Sequence, residues 1–181
     1  DRLTAFFDEQ EFSHEKLLSI AALYELRSGS VIKLPWNAPS FLVEIKEFDG
    51  KISFCDSRNA FDDAWAFDAF FLAVKIIEAL SETRQNLSGL SQDIPEFFIS
   101  EKSLEINVQP CKLNERADAD MIYSDGVAHI KTQHGTAKIA RDMYRNKLHI
   151  ITEAVSSEFS EELTGEVMKI INDAALDNKC N

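Results

Sequence analysis

The stretch VIKLPWNAPSFLVEIKEFDGKISFC, residues 31–55, decides the fold class of the first half of the chain. It opens with the apolar run VIKL and closes with KISFC, and both have the length and composition of buried strands. Between them, Asn37 is a typical helix cap and Pro39 suits a first helical turn, so a helix is predicted from there to about Phe48. Strand, helix and strand in this order predict an α/β unit with a parallel or mixed sheet.

A strand and two helices are predicted around this stretch. A short strand at residues 3–7 is followed by a helix that Ser13 caps and that Gly29 ends as a left-handed residue. A second, longer helix is predicted at residues 61–83 and is apolar over nearly its whole circumference. A helix of this kind must be buried against more than one surface, so we expect it to pack on the sheet and on another domain.

The second half of the chain predicts a small α+β domain with an antiparallel sheet. Short apolar or alternating runs predict strands at residues 104–108, 127–131, 136–140 and 148–152, a short helix at 113–121 and a closing helix after Ser156 or Ser157. The polar segment 85–103 separates the two halves. We therefore expect an α/β domain with a mixed sheet at residues 1–98 and the α+β domain at residues 99–181.

Charge and cysteine content exclude several classes of function. The 181 residues carry 31 acidic and 19 basic side chains, a net charge of −12, which disfavours nucleic acid and anionic membrane partners. Cys55, Cys111 and Cys180 are widely spaced, so neither a disulfide framework nor a zinc site is expected, and the cytoplasm is the expected location. The four histidines are scattered and match no metal-binding pattern.

This order of elements resembles the third and fourth domains of the α-D-phosphohexomutase family, which includes phosphomannomutase and phosphoglucomutase. The resemblance spans nearly the whole chain and depends on the order and spacing of short pieces, because no motif is intact. The opening Asp1-Arg2-Leu3 is similar to the end of the family's D-G-D-R-L metal loop, and AFFLAVKIIEAL at residues 69–80 is similar to its long helix. The other similar pieces are Ala38-Pro39-Ser40, Asp49-Gly50-Lys51-Ile52, residues 90–95, Asp125-Gly126-Val127, residues 147–150 and Glu153-Ala154.

The resemblance implies phosphoryl transfer between two sugar oxygens through a phosphoserine, whose loop would lie upstream of the matching region. It also implies that Asp1 is a magnesium ligand and Arg2 a substrate contact in a longer protein, whereas this chain alone is expected to hold no cofactor. The family's sugar loop reads G-E-x-S-G-H. Its counterpart at residues 56–60, DSRNA, has neither the glutamate nor the histidine.

The family's phosphate loop, R-P-S-G/N-T-E-P, corresponds to ARDMYRNK at residues 140–147. Alanine stands at the arginine position, and Asp142 would repel a phosphate. Arg141, Arg145 and Lys147 nevertheless form the most basic short cluster of the chain. They are the candidate phosphate-binding residues.

We therefore expect a degenerate phosphohexomutase-like module of sugar-phosphate and nucleotide-sugar metabolism, with no catalytic residue of its own. Such modules resemble tails found behind sugar-nucleotidyltransferase domains such as mannose-1-phosphate guanylyltransferases. The alternative is the C-terminal half of an active, magnesium-dependent phosphomannomutase or phosphoglucomutase. Expected partners are the remainder of a longer chain, a second copy bound through the Phe-rich helix predicted at residues 61–83, and a sugar phosphate. Nucleic acid and membrane are not expected.

Overall fold

The protein is described by a computed structural model, which covers residues 2–55, 63–106, 108–115, 120–124, 126–142, 145 and 147–177. The chain divides into two compact units, Asp1–Pro95 and Glu96–Asn181. The expected boundary after residue 98 falls within the first strand of the second unit, β5 (Phe98–Leu104).

The first unit contains two small sheets. β1 (Ala5–Phe7) and β2 (Gln10–Phe12) form an antiparallel hairpin. β3 (Ile32–Pro35) and β4 (Ile52–Cys55) pair in parallel. The parallel pairing predicted from residues 31–55 is therefore confirmed. The first strand, however, pairs within its own hairpin and does not join β3 and β4.

The first predicted helix is confirmed together with both of its end signals. α1 spans His14–Arg27, and the Ser13 hydroxyl accepts a hydrogen bond from the backbone N–H of Lys16 at 3.3 Å. Gly29 follows the helix with a φ angle of 94°, a conformation that glycine adopts without a Cβ clash. Residues 17–23 and Leu26 of α1 are buried, so the middle of the helix is covered nearly all round, and among the described elements of this unit α1 supplies the largest share of the apolar core.

The helix predicted between β3 and β4 is wrong in its length and in its cap. α2 is a single turn, Phe41–Glu44, and a 3₁₀ turn, Lys46–Phe48, follows it. Ile45 lies between them with an extended ψ angle of 100°, and Asn37 lies in a turn well before the helix. Burial of Leu42 and of the last residue of the 3₁₀ turn fixes this path, so tertiary packing overrides local helix propensity.

The long apolar helix is shorter than predicted. α3 spans Ala69–Thr83, and the Asp68 carboxylate caps it by accepting hydrogen bonds from the backbone N–H groups of Phe70 at 2.8 Å and Phe71 at 3.2 Å. A 3₁₀ turn, Ala64–Ala66, precedes α3, and the predicted start at residue 61 lies outside the described residues. α4, the single turn Leu87–Leu90, follows it.

The expectation that α3 is buried nearly all round is wrong. Its buried side chains, Leu72, Ile76 and Ala79, occupy only one side of the helix, which packs against α1. Four large apolar side chains on α3 are exposed instead: Phe70, Phe71, Val74 and Ile77. Apolar composition alone therefore does not report how much of a helix is covered.

The second unit contains the antiparallel sheet predicted for it. Five strands form it in the order β5-β9-β8-β7-β6, and every neighbouring pair is antiparallel. Their bounds are β5 (Phe98–Leu104), β6 (Asp120–Ser124), β7 (Val127–Lys131), β8 (Gly135–Asp142) and β9 (Lys147–Ala154).

Two details of the second half are wrong. The strand predicted at residues 104–108 is misplaced. The observed strand, β5, begins at Phe98, which pairs with Ala154 of β9, and ends at Leu104. In place of a helix at residues 113–121 there is a 3₁₀ helix, Pro110–Glu115, and then β6. Residues 116–119 and Asp125, which belongs to one of the pieces similar to the phosphohexomutase family, lie outside the described part of the chain.

One face of the five-stranded sheet is covered by the closing helix, α5 (Ser157–Asp177). Alternate strand residues point towards α5 and form the core of this unit with Val108 and Leu113. The core residues are Ala128, Ile130, Ala137, Ile139, Leu148, Ile150, Leu163, Val167, Ile171 and Ala174. The intervening strand residues point to the opposite side of the sheet, which we call the second face.

Candidate functional site

The predicted phosphate-binding residues lie in the hairpin that joins β8 to β9. Asp142 is the last residue of β8 and pairs with Lys147, the first residue of β9, and Arg141 pairs with Leu148. In the turn, the backbone N–H of Arg145 donates a hydrogen bond to Oδ1 of Asp142 at 3.1 Å. The Asp142 carboxylate therefore has a local role, since it closes the turn that a phosphate would have to approach.

The charge on Lys147 is compensated within the protein. Its Nζ lies 2.9 Å from Oε1 of Glu105, and both side chains retain contact with solvent, at 35% and 79% exposure. On the same side, Nε2 of His149 lies 4.0 Å from Oδ2 of Asp142, and Nδ1 of His149 lies 3.0 Å from the hydroxyl of Ser103. An incoming anion would therefore meet the carboxylates of Glu105 and Asp142 at this end of the sheet.

The pairing register of β8 and β9 places Arg141 and Lys147 on opposite sides of the sheet. Arg141 shares its side of β8 with Ala137 and Ile139, which face α5, and its partner in β9 is the buried Leu148. Lys147 occupies the alternate position and belongs to the second face. Because successive residues of a strand point to opposite sides, the structure does not bring these two cations together on one side of the sheet.

The same register bears on the missing arginine of the phosphate loop. The position of that arginine is Ala140, which pairs with His149 and lies on the second face together with Lys147. Arg141 is only one residue further along, but a shift of one residue moves a side chain to the other face of a strand. Arg141 therefore does not replace an arginine at position 140.

The other predicted site residues are in the first unit. The Arg2 guanidinium is 61% exposed and lies 3.9 Å from Oε1 of Glu15 near the start of α1, an arrangement that orients it loosely. Asp1, the predicted magnesium ligand, and residues 56–60, the counterpart of the sugar loop, lie outside the described residues. Within the described ranges, no group of three His, Cys, Asp or Glu side chains is placed to hold a metal ion.

Sequence reasoning missed Lys138, which lies at the centre of the second face. It is only 5% exposed, and it sits opposite His129 of β7 and Ile151 of β9. Burial lowers the pKa of its ammonium group from 10.5 to about 8, and the negative charge of Glu153 limits the decrease. At neutral pH the side chain is still mostly protonated, so the sheet contains a desolvated positive charge.

A pocket of about 340 Å³ lies in the first unit, near the C-terminal ends of α1 and α3. Its size is at the low end for small-molecule sites. Its only strong cation, Arg27, already forms a 2.6 Å ion pair with Asp93. None of the predicted site residues lines it; the lining residues are Ile20, Leu23, Tyr24, Arg27, Ser28, Thr83, Gln85 and Leu90.

The part of the chain that the structure describes contains no helix with the length and apolar character needed to cross a membrane.

Comparison with known proteins gives a match in structure and none in sequence. No protein-family model and no curated protein matches the chain. The crystal structure of a phosphoglucomutase/phosphomannomutase family protein from Burkholderia thailandensis is similar to it with a TM-score of 0.68 and 16% sequence identity, over 96% of this chain and 44% of that one. The chain thus spans less than half the length of this neighbour. It has a mixed α/β fold, with parallel and antiparallel sheets, that matches the fold of phosphohexomutase domains.

Proposed function

We propose that the chain is a phosphohexomutase-like module of sugar-phosphate or nucleotide-sugar metabolism that has no independent catalytic activity. In this proposal it acts as a structural or regulatory tail of a sugar-nucleotidyltransferase, of the kind that includes mannose-1-phosphate guanylyltransferases. The similarity in fold supports the phosphohexomutase-like part. The non-catalytic part depends on the hairpin, where a carboxylate accepts a hydrogen bond from a backbone N–H of the turn, Arg141 and Lys147 lie on opposite sides of the sheet, and Lys147 is already paired.

The charges of the β8–β9 hairpin are the main support for a module without catalytic activity. A phosphoryl group is held by several donors that converge on it, usually two or more cations or backbone N–H groups. Here Lys147 is engaged by Glu105, Arg141 lies on the side of the sheet that faces α5, and the Asp142 carboxylate adds a negative charge on the side of Lys147. The sequence of the sugar loop, DSRNA at residues 56–60, offers no glutamate for sugar hydroxyls either.

A thermal-shift series on the 181-residue chain tests this directly. Glucose, mannose and glucosamine phosphates are added at millimolar concentration with and without magnesium, together with inorganic phosphate. A ligand that binds the folded state at 100 times its Kd stabilises it by about 2.7 kcal/mol, which a melting curve detects easily. We expect no shift and no interconversion of hexose 1- and 6-phosphates. A saturable shift with one sugar phosphate, or mutase activity, would overturn the proposal.

A charge-releasing variant tests the reason behind the expected result. In Glu105→Gln/Asp142→Asn, Lys147 loses its carboxylate partner and the turn keeps an oxygen acceptor for the N–H of Arg145. This variant should gain a phosphate-dependent shift that the natural chain lacks. Glu161→Gln/Glu162→Gln removes two exposed negative charges from α5 and serves as the control. If the control gains the same shift, overall charge rather than the hairpin is responsible.

The second candidate is the C-terminal half of an active, magnesium-dependent phosphomannomutase or phosphoglucomutase. The chain matches 44% of the Burkholderia thailandensis protein, so in this alternative a longer protein would have to supply the remaining loops. The coding sequence upstream of Asp1 distinguishes the two. A serine loop followed by D-G-D would support the mutase, whereas a glycine-rich nucleotide-binding domain would support the nucleotidyltransferase tail.

A further inference from the structure

One side of α3 is apolar and open to solvent. Phe70, Phe71, Val74 and Ile77 are 71%, 51%, 49% and 64% exposed, and we call these four residues the α3 stripe. Their spacing places them along one side of the helix, where the rings of Phe70 and Phe71 meet edge to face with centroids 5.8 Å apart. Together they expose roughly 400 Å² of apolar surface, which is the size of patches that bind partners.

α3 is held firmly from its other side. Nζ of Lys75 lies 2.6 Å from Oε1 of Glu25 in α1, and the hydroxyl of Tyr24 donates a hydrogen bond of 2.5 Å to Glu82. Lys75 also contacts Glu78 at 2.8 Å, so this one lysine offsets part of the negative charge of the two carboxylates beside it. A partner would therefore meet a helix that is already ordered, which lowers the entropic cost of binding.

We propose that the α3 stripe is a homodimer interface, in which α3 packs antiparallel against α3 of a second copy about a two-fold axis. Antiparallel pairing places Phe70 beside Ile77 of the second copy and brings the two Val74 side chains close to the axis, so the stripe is complementary to itself. None of the four positions is charged. Glu78, one turn beyond Val74 on the same side of α3, is 43% exposed and pairs with Lys75, so it would lie in the rim of the interface. This interface does not depend on any sugar-phosphate function.

The area of the stripe fits a second copy of the chain. A standard interface buries about 800 Å² on each partner, with an apolar centre and a polar rim. The stripe supplies about half of that area as the apolar centre, and the polar residues that flank it on α3 can supply a rim. Each copy has a net charge of −12, so the two copies repel each other and added salt should strengthen the dimer. A basic partner would show the opposite salt dependence.

Sedimentation equilibrium of the 181-residue chain, at micromolar to near-millimolar concentration and at low and high NaCl, tests the interface. We expect a reversible monomer–dimer equilibrium whose Kd falls as salt is added. Phe70→Glu and Ile77→Glu should each weaken it at least about tenfold. Phe6→Glu in β1 and Val31→Glu are matched controls, since these side chains are 72% and 70% exposed and lie outside α3.

Two results of this experiment would overturn the proposal. Circular dichroism confirms that each variant is folded before its mass is measured. A chain that stays monomeric over the whole concentration range would overturn the proposal and leave the stripe to another partner. A dimer that Phe6→Glu or Val31→Glu dissociates as well as the α3 variants do would overturn it too, because the interface would then lie elsewhere.

Discussion

Replacing Lys138 with methionine should stabilise the protein at neutral pH. The side chain is 5% exposed, and burial lowers the pKa of its ammonium group from 10.5 to about 8. Each pKa unit corresponds to about 1.4 kcal/mol, so holding the protonated side chain in the folded state costs about 3 kcal/mol. Methionine has a similar length and no charge. The variant should therefore gain a large part of that amount, reduced by any contact that the ammonium group makes.

The effect has a definite dependence on pH. Below pH 8 the lysine is protonated in the folded and the unfolded chain, and the full penalty applies. Between about 8 and 10.5 the unfolded chain binds more protons than the folded one, so the stability of the natural protein rises with pH. Above 10.5 both states are neutral and the penalty is gone. The advantage of Lys138→Met is thus largest below pH 8 and shrinks towards pH 10.

Urea unfolding at several values between pH 6 and pH 10, followed by circular dichroism, measures the difference in free energy of unfolding. Lys102→Met is the control, because Lys102 is an exposed lysine on β5, an edge strand of the same sheet. Its effect should stay within about 0.5 kcal/mol at every pH. A Lys138→Met variant that is less stable than the natural protein at pH 7, or a difference that does not change with pH, would refute the reasoning.

Other predictions concern the packing of the second unit, and the same urea experiment at pH 7 measures them. Gly135→Ala should destabilise strongly, by several kcal/mol, because a Cβ at this position would lie 2.1 Å from the backbone oxygen of Glu153. Gly165→Ala in α5, where a Cβ meets no atom within 4 Å, should instead stabilise by about 0.5–1 kcal/mol through helix propensity, and a loss there would contradict the open space seen around it. Thr152→Val should cost about 1–2 kcal/mol, because the Thr152 hydroxyl contacts the hydroxyl of Thr164 at 2.7 Å inside the core. An unchanged midpoint for Thr152→Val would mean that this hydrogen bond contributes no net stability.

The sequence predicted the elements whose signals are local. Ser13 and Gly29 mark the ends of α1 through a cap hydrogen bond and a left-handed φ angle, and both depend only on nearby residues. The strands β7, β8 and β9 were found because short apolar runs are separated by turn residues. These elements are the ones that bring the β8–β9 hairpin into place.

The remaining features depend on contacts between distant residues. β5 was misplaced because its partner, β9, is some 50 residues away in the sequence, and FISEKSL has no clear alternation. Lys138 occupies an alternate position of a strand, which normally faces solvent, and nothing in the local sequence signals its burial. The sequence indicates an apolar helix that could bind a second copy, but which of its phenylalanines are exposed is known only from the structure.

A last prediction follows from the register of the β8–β9 hairpin. Ala140→Arg would place a guanidinium on the second face, near the start of β9 and on the same side as Lys147, where Arg141 does not point. Two cations on one side of the hairpin can share an anion through charge-assisted hydrogen bonds once the competing carboxylates are removed. The variant in which Ala140→Arg is added to Glu105→Gln/Asp142→Asn should therefore bind inorganic phosphate about tenfold more tightly than that double variant does.

Isothermal titration with phosphate measures this gain, and Ile122→Arg added to the same double variant is the matched control, since Ile122 is an exposed residue at a second-face position of β6. That variant adds the same charge to the same face at a different strand, so it should leave phosphate binding nearly unchanged. Equal gains in both variants would show that net charge alone draws the anion. If neither variant binds phosphate more tightly, then two cations on one side of the hairpin do not create an anion site. The reasoning from strand register would then be wrong.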